Sequence, residues 1–153
     1  MIAVIQRVKK ASVSVENNVV GSCGAGLLIL LGVAANDSEE DARALARKII
    51  NLRIFTDEND KLNLSVKDVN GEALVVSNFT LLANYRKGNR PDYLNSARPE
   101  LALKLYEYFV ELISCEISQV GKGAFGEHME IDATCDGPIT ITMDSNVLLN
   151  KNI

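Results

Sequence analysis

The run Leu27-Leu28-Ile29-Leu30-Leu31-Gly32-Val33 constrains this chain more than any other segment. It is far too short to cross a bilayer, which takes about 20 apolar residues in a helix. It has the length of a β-strand buried on both faces, so the fold must cover it from two sides. Upstream, positions 2 to 8 and 12 to 15 alternate in the two-residue period of half-buried strands. Glu16-Asn17-Asn18 is a turn signal and predicts a hairpin with Val19-Val20. Gly21, Gly24 and Gly26 mark a tight connection into the apolar run.

Beyond that run the period changes. Asn36-Asp37-Ser38 is an N-cap cluster, and Ser38 with Asp41 resembles a capping box. Ala42, Leu45, Ala46 and Ile49 then follow helical spacing, which predicts an amphipathic helix over 38–52. Residues 56–61 read as a polar loop. Residues 73–77 read as a strand that delivers Asn78-Phe79-Thr80 to its end. Residues 84–99 form the longest irregular stretch, a length often given over to function. Pro99 suits the first turn of a second helix, marked by Leu101, Leu105, Phe109 and Leu112 and ending near Ser114. Residues 116–120, 129–134 and 138–143 read as further extended segments, separated by a glycine-rich hairpin turn and by Asp136-Gly137. Residues 144–153 carry little pattern and are expected to form a loose tail. The order predicts a single-domain α+β fold over residues 1–153, with largely antiparallel β-sheets, barrel-like or two-layered, and two main helices.

The 153 residues suit one core. Apolar residues make up 47% and charged residues 24%, the balance of an ordinary soluble protein. The start of the chain lacks the layout of a signal peptide, so a cytoplasmic location is expected. Cys23, Cys115 and Cys135 are widely spaced, which fits reduced thiols better than a disulfide framework. A net charge of −4 argues against a long nucleic-acid duplex as partner but leaves room for an enzyme that grips an RNA end. Positive charge clusters at Arg86, Lys87 and Arg90, with Arg7, Lys9 and Lys10 near the start of the chain.

The inventory excludes much chemistry. One histidine, His128, rules out a two-His metal site within a chain, and neither metal nor cofactor is expected. There is no G-x-S-x-G elbow and no Walker A motif. Gly121 to Gly126 matches G-x-G-x-x-G, but residues 127–134 alternate like a strand, and the nucleotide fingerprint needs a helix there. His128 alone is more often structural than catalytic, and Cys135 has no neighbouring base. No acid–base pair stands out, so an enzyme built on this chain rests little on titratable side chains.

Three segments, in this order and spacing, resemble the D-aminoacyl-tRNA deacylase family: Ser77-Asn78-Phe79-Thr80-Leu81-Leu82, Gly123-Ala124-Phe125-Gly126-Glu127-His128-Met129, and Asp136-Gly137-Pro138-Ile139-Thr140. Gln6-Arg7-Val8 and Gly88-Asn89-Arg90-Pro91 resemble it too, so the likeness covers residues 1 to about 143. The chain departs from the family at Asn78, where Gln is usual, and at Cys135, where Asn is usual.

The resemblance implies a hydrolase that cleaves the ester between a D-amino acid and the terminal adenosine of tRNA, for translation quality control. It places catalysis at Ser77, Asn78, Phe79 and Thr80. A strand end is a good place to fix backbone donors to the oxyanion of ester hydrolysis, and the Phe79 and Thr80 N–H groups are expected to fill that role. The resemblance assigns assistance of the attacking water to the tRNA ribose hydroxyl, which explains the missing protein base. Gly137 and Pro138, joined by a cis bond in the family, enter the partner subunit's pocket and reject L-amino acids. Glycine, with no side chain to reject, is then a substrate as well. Arg7 and Met129 brace that loop, and Arg86, Lys87 and Arg90 are candidates for tRNA phosphate contact. The expected assembly is a homodimer with shared sites and no membrane association. Thr80 reads as a positioning group rather than a nucleophile, since no base is evident to activate it. Two alternatives stand: an editing enzyme for small L-aminoacyl-tRNA with a trans Gly-Pro bond, and an RNA-end-binding module without hydrolysis.

Overall fold

The structure, a computed structural model, describes residues 1–151. It starts with a long strand, β1 (Ile2–Val15), where the sequence suggested two shorter ones. Glu16 and Asn17, both at positive φ, turn it into β2 (Asn18–Cys23) in the primed-turn manner that suits the twist of a hairpin. The apolar run becomes β3 (Gly26–Gly32), antiparallel to the first half of β1. Helix α1 (Glu39–Ile50) follows, its Asp41 carboxylate accepting the Ser38 backbone N–H at 2.9 Å. Two short strands, β4 (Phe55–Thr56) and β5 (Leu62–Leu64), flank the region read as polar loop, and residues 57–61 are the loop between them. Then come β6 (Glu72–Ser77), a single 3₁₀ turn (Phe79–Leu82), helix α2 (Pro99–Ser114), β7 (Val120–Lys122), β8 (Glu130–Asp144) and helix α3 (Ser145–Leu148).

The fold is α+β, as expected, but its main sheet is mixed. The order β2-β1-β3-β6-β7 has antiparallel pairs at β1 and parallel pairs at β3·β6 and β6·β7, with β8 on the other side of β1. The two parallel pairs need crossovers, and α1 and α2 supply them. A continuous apolar strand reveals its burial but not the direction of its neighbour, so this part of the topology was not legible. The sheet curls until β2 and β7 meet. A Cβ on Gly21 would run into the Lys122 carbonyl, and one on Gly121 into the backbone of Ser22. Both positions therefore admit only glycine, and they nearly close a barrel.

Strand β3 is covered on both faces. Leu27, Ile29 and Leu31 join Ile5 and Val75 beneath α1 and α2, where Leu45, Ile49, Leu105, Phe109 and Ile113 complete the larger core. Leu28, on the opposite face, joins Val8, Val13, Leu74 and Val76 inside the curled sheet, with Leu30 and Met129 packed against them. Each fully buried Leu or Ile contributes about 2 kcal/mol of hydrophobic stabilisation.

Two expectations are corrected. The glycine-rich stretch is not a hairpin turn, because β7 pairs with β6 and β8 pairs with β1. No helix follows it either, so it remains no nucleotide fingerprint. The segments on either side of Asp136-Gly137 are one strand rather than two. Val8 faces Cys135 and Gln6 faces Thr140, so Arg7 alone stands opposite the four residues 136–139, which bulge from the ladder.

The expected loose tail is anchored as far as it is described. Ser145 is fully buried; its hydroxyl accepts from the Met1 amino group at 2.7 Å and donates to Asp41 at 2.8 Å. The Lys151 ammonium reaches both Asp41 oxygens at 2.7 and 2.8 Å. Asn152 and Ile153, the end of that expected tail, lie outside the described residues.

Candidate active site

Strand β6 carries the first motif to the rim of the curled sheet. Ser77 still pairs with Leu31, and the Asn78 N–H still donates to the Leu31 carbonyl at 2.8 Å. The ladder then stops, and Phe79 to Leu82 wind into the 3₁₀ turn. The first N–H groups of any such turn lack an acceptor within it. The Asn78 side chain supplies one: Oδ1 accepts the Thr80 N–H at 3.2 Å and also the Thr80 hydroxyl. This changes the reading of the two expected oxyanion donors. The Thr80 N–H is engaged by Asn78, whereas the Phe79 N–H has no acceptor among the described residues. It also gives the departure at position 78 a physical account, since the short Asn side chain is well matched to a local cap.

The turn forms one wall of a cavity of about 850 Å³. Leu30, Val76 and Met129 bring the inner face of the sheet to the cavity, so its depth is apolar. Phe79, 56% exposed, meets Tyr93 edge to face with ring centres 5.0 Å apart. Ser96 donates to the Phe79 carbonyl at 3.3 Å, while Ala97 N–H bonds the Val33 carbonyl at 2.9 Å. The segment leading into α2 is thereby stitched to the end of β3 and makes a fixed wall. Residues 125–129 form another side, with Glu127 and His128 among the lining. Behind it, the Tyr106 hydroxyl donates to the Val75 carbonyl at 2.9 Å, and burial pushes that phenol up to about 12, so it stays a neutral donor.

Of the residues singled out from the sequence, Ser77, Asn78, Phe79, Thr80 and Met129 come together at this cavity. Arg7, Gly137 and Pro138 do not line it. They form a second group on the β8 bulge. The Gly137–Pro138 bond is cis, and Gly137 has φ +120. Arg7 is nearly buried; it donates to the Ile54 carbonyl at 2.8 Å, and its Nε lies 3.0 Å from the Asp136 carboxylate without hydrogen-bond alignment. Arg7 thus ties the root of the bulge to the body of the protein. Met129 sits over Gly123 instead, where an added Cβ would come within 2.9 Å of its sulfur. Gly137 and Pro138 are exposed on the outermost strand.

Arg86, Lys87 and Arg90 lie on an exposed loop that also stays outside the cavity. Asn84 and Asp92 close that loop with two backbone hydrogen bonds, 2.8 and 3.0 Å, and one between their side chains at 3.0 Å. The lining residues Tyr93, Ser96 and Arg98 were not singled out from the sequence, and Glu127 entered only within one of the resembling segments. The length of the irregular stretch was the signal for the first three, without saying which side chains turn inward. Among the described residues, no three of His, Cys, Asp and Glu gather as a metal site. Among the described residues, no helix is long and apolar enough to cross a membrane.

The arrangement offers a largely apolar cavity, with the Phe79 N–H among the backbone donors left open at its wall, and no hydrogen-bonded pair of side-chain nucleophile and base among the described residues. The family described as D-Tyr-tRNA(Tyr) deacylase matches residues 4–144. The D-aminoacyl-tRNA deacylase of Caldicellulosiruptor saccharolyticus is 54% identical over 145 residues, 95% of this chain and 97% of that one. Among solved structures, one described as the c-Myc DNA Unwinding Element Binding Protein superimposes with TM-score 0.89 at 37% identity, covering 94% of this chain and 98% of that one. Another, described as a probable eukaryotic D-amino acid tRNA deacylase, shares the fold with TM-score 0.81 at 16% identity over the same shares of the two chains. The chain belongs to the D-Tyr-tRNA(Tyr) deacylase family.

Proposed function

We propose that this chain hydrolyses the ester of D-aminoacyl-tRNA, and of glycyl-tRNA, in the cytoplasm. The observation that carries the reading is the cavity walled by residues 77–80, with an open Phe79 N–H and no paired nucleophile and base. Water adds to the ester carbonyl, the Phe79 N–H stabilises the oxyanion, and the ribose oxygen leaves with a proton as the acid is released. The ribose hydroxyl beside the ester orients that water. Thr80 holds the turn through Asn78 rather than attacking.

Selection against L-amino acids falls to Gly137 and Pro138 of a second subunit. Their carbonyls hold the substrate ammonium and fill the volume an L side chain needs, which is rejection by shape. Two facts support a homodimer with shared sites. The bulge stands outside its own chain's cavity. It also lies on a 15-residue outer strand with exposed Ile131, Ala133 and Cys135, an edge that an isolated chain leaves unprotected. Arg86, Lys87 and Arg90 meet the tRNA backbone farther from the ester.

The test is incubation with D-tyrosyl-, L-tyrosyl- and glycyl-tRNA. Release of D-tyrosine and glycine with L-tyrosyl-tRNA intact is expected. Protection of all three esters overturns hydrolysis, and D-tyrosine release without glycine release overturns rejection as the rule.

A further inference from the structure

We propose that Arg98 holds the phosphate of the RNA's last nucleotide and so sets specificity for substrates that carry it. This rests on the reading of the cavity as the site for an RNA-borne ester.

The cavity wall is apolar or neutral except at three residues: Arg98, Glu127 and His128. Arg98 is the only one with a permanent positive charge. Its backbone is fixed on both sides. Ala97 N–H bonds Val33, the Arg98 carbonyl accepts from Ala102 N–H at 2.9 Å, and Pro99 begins α2. Its side chain is uncommitted: it makes no cap hydrogen bond, and among the described residues no carboxylate lies within ion-pair distance of it. Most other exposed arginines on the body of the fold have partners. Arg43 pairs with Glu39 and lies over the Tyr108 ring, and Arg53 bonds the Asn63 carbonyl.

The ligand's chemistry supplies the counterpart. The aminoacylated end of an RNA carries one positive charge, the α-ammonium, and its nearest fixed negative charge is the 5′-phosphate of the terminal nucleotide. A guanidinium fork matches phosphate oxygens in geometry and keeps its charge at every working pH. The basic loop of Arg86, Lys87 and Arg90 does not fill this role, because it does not line the cavity. Those side chains reach phosphates farther along the strand. Glu127, a carboxylate on the same cavity, repels a phosphate that strays from Arg98.

The experiment compares two small substrates, D-tyrosyl adenosine and its 5′-monophosphate, both esterified on the ribose, with D-tyrosyl-tRNA alongside. The readout is the ratio of kcat/KM for the phosphorylated over the unphosphorylated compound. In Arg98→Ala this ratio should fall about tenfold or more, the usual effect of losing a charge-assisted hydrogen bond. The loss should lie in KM, and Arg98→Lys should recover part of it. Glu replacing Arg86, Lys87 and Arg90 together should weaken tRNA turnover while leaving the small-substrate ratio in place. A ratio unchanged in Arg98→Ala overturns the proposal, as does an equal loss on both small substrates. Failure of the wild-type protein to cleave any of the three overturns the deacylase reading instead. The side chain is exposed and uncommitted, so matched thermal melts are expected. Should Arg98→Ala melt early, the Lys variant alone decides: a ratio below wild type supports phosphate contact, and an unaltered one overturns it.

Discussion

The polar cluster around Asp41 and the polar turn at residues 77–80 are made of similar groups put to opposite ends. At Asp41 every partner is spoken for. The side chain is fully buried, both oxygens meet Lys151, and Ser145 and Ser38 fill the remaining acceptor sites. Burial by itself raises such a carboxyl, but the hydrogen bonds from Lys151, Ser145 and Ser38 outweigh it and hold Asp41 below the usual carboxylate range. At residues 77–80 the capping is partial. Asn78 serves the Thr80 N–H and hydroxyl, while the N–H of Phe79, a residue that lines the cavity, has no acceptor among the described residues. Mutual satisfaction makes a clamp, and one omission from it leaves a donor free.

The contrast is broken most strongly at its structural end. Asp41→Asn should cost about 3 kcal/mol at neutral pH, as expected when one member of a buried charged network is neutralised. Denaturant unfolding checks this, and the rate per folded molecule should not change. The folded carboxyl titrates below its unfolded value. Its contribution is therefore complete above the unfolded pKa, about 3.9, and fades as pH falls through the folded one. The gap between wild type and variant should narrow on acidification. A gap that widens would refute this view of the cluster.

Next comes the bulge. An alanine Cβ at Gly137 would sit 2.8 Å from the Ile139 nitrogen, at a φ of +120 that L residues avoid. Relief of about 1–3 kcal/mol of strain must displace the bulge. A misplacement of that kind costs about 100-fold in rate, so kcat/KM on D-tyrosyl-tRNA should fall that far. The melt should shift less than in Asp41→Asn, because the bulge is exposed. The smallest effect belongs to Thr80→Val. Its hydroxyl contributes one hydrogen bond to Asn78, worth about 1 kcal/mol, so single-turnover rates should drop less than about tenfold. Loss of all measurable turnover would instead make that hydroxyl a chemical participant.

The two regions also differ in how far they were legible. Ser38 and Asp41 announced a helix start, and helical spacing at Ala42, Leu45 and Ile49 did the rest. Nothing nearby hinted that Ser145 and Lys151 would return to the same carboxylate, because contacts across 104 and 110 residues leave no local pattern. The motif at 77–80 was found, yet the engagement of the Thr80 N–H depends on a side-chain rotation that no spacing encodes. Asp136-Gly137-Pro138 reads as a turn, and only pairing with β1 on both sides makes it a bulge within one strand. Arg98 carries no local pattern of its own, one residue ahead of the helix start at Pro99. Its place at the cavity follows from the stitching of residues 96 and 97 to their neighbours.

The rung between Asn84 and Asp92 has a consequence for how such a protein can diversify. It isolates the tip of the loop, where Gly88 has open space around it, from the wall that shapes the cavity. Doubling the length of a closed loop costs only about 0.6 kcal/mol. The tip is thus free to lengthen, shorten or change charge while the wall of the cavity keeps its shape.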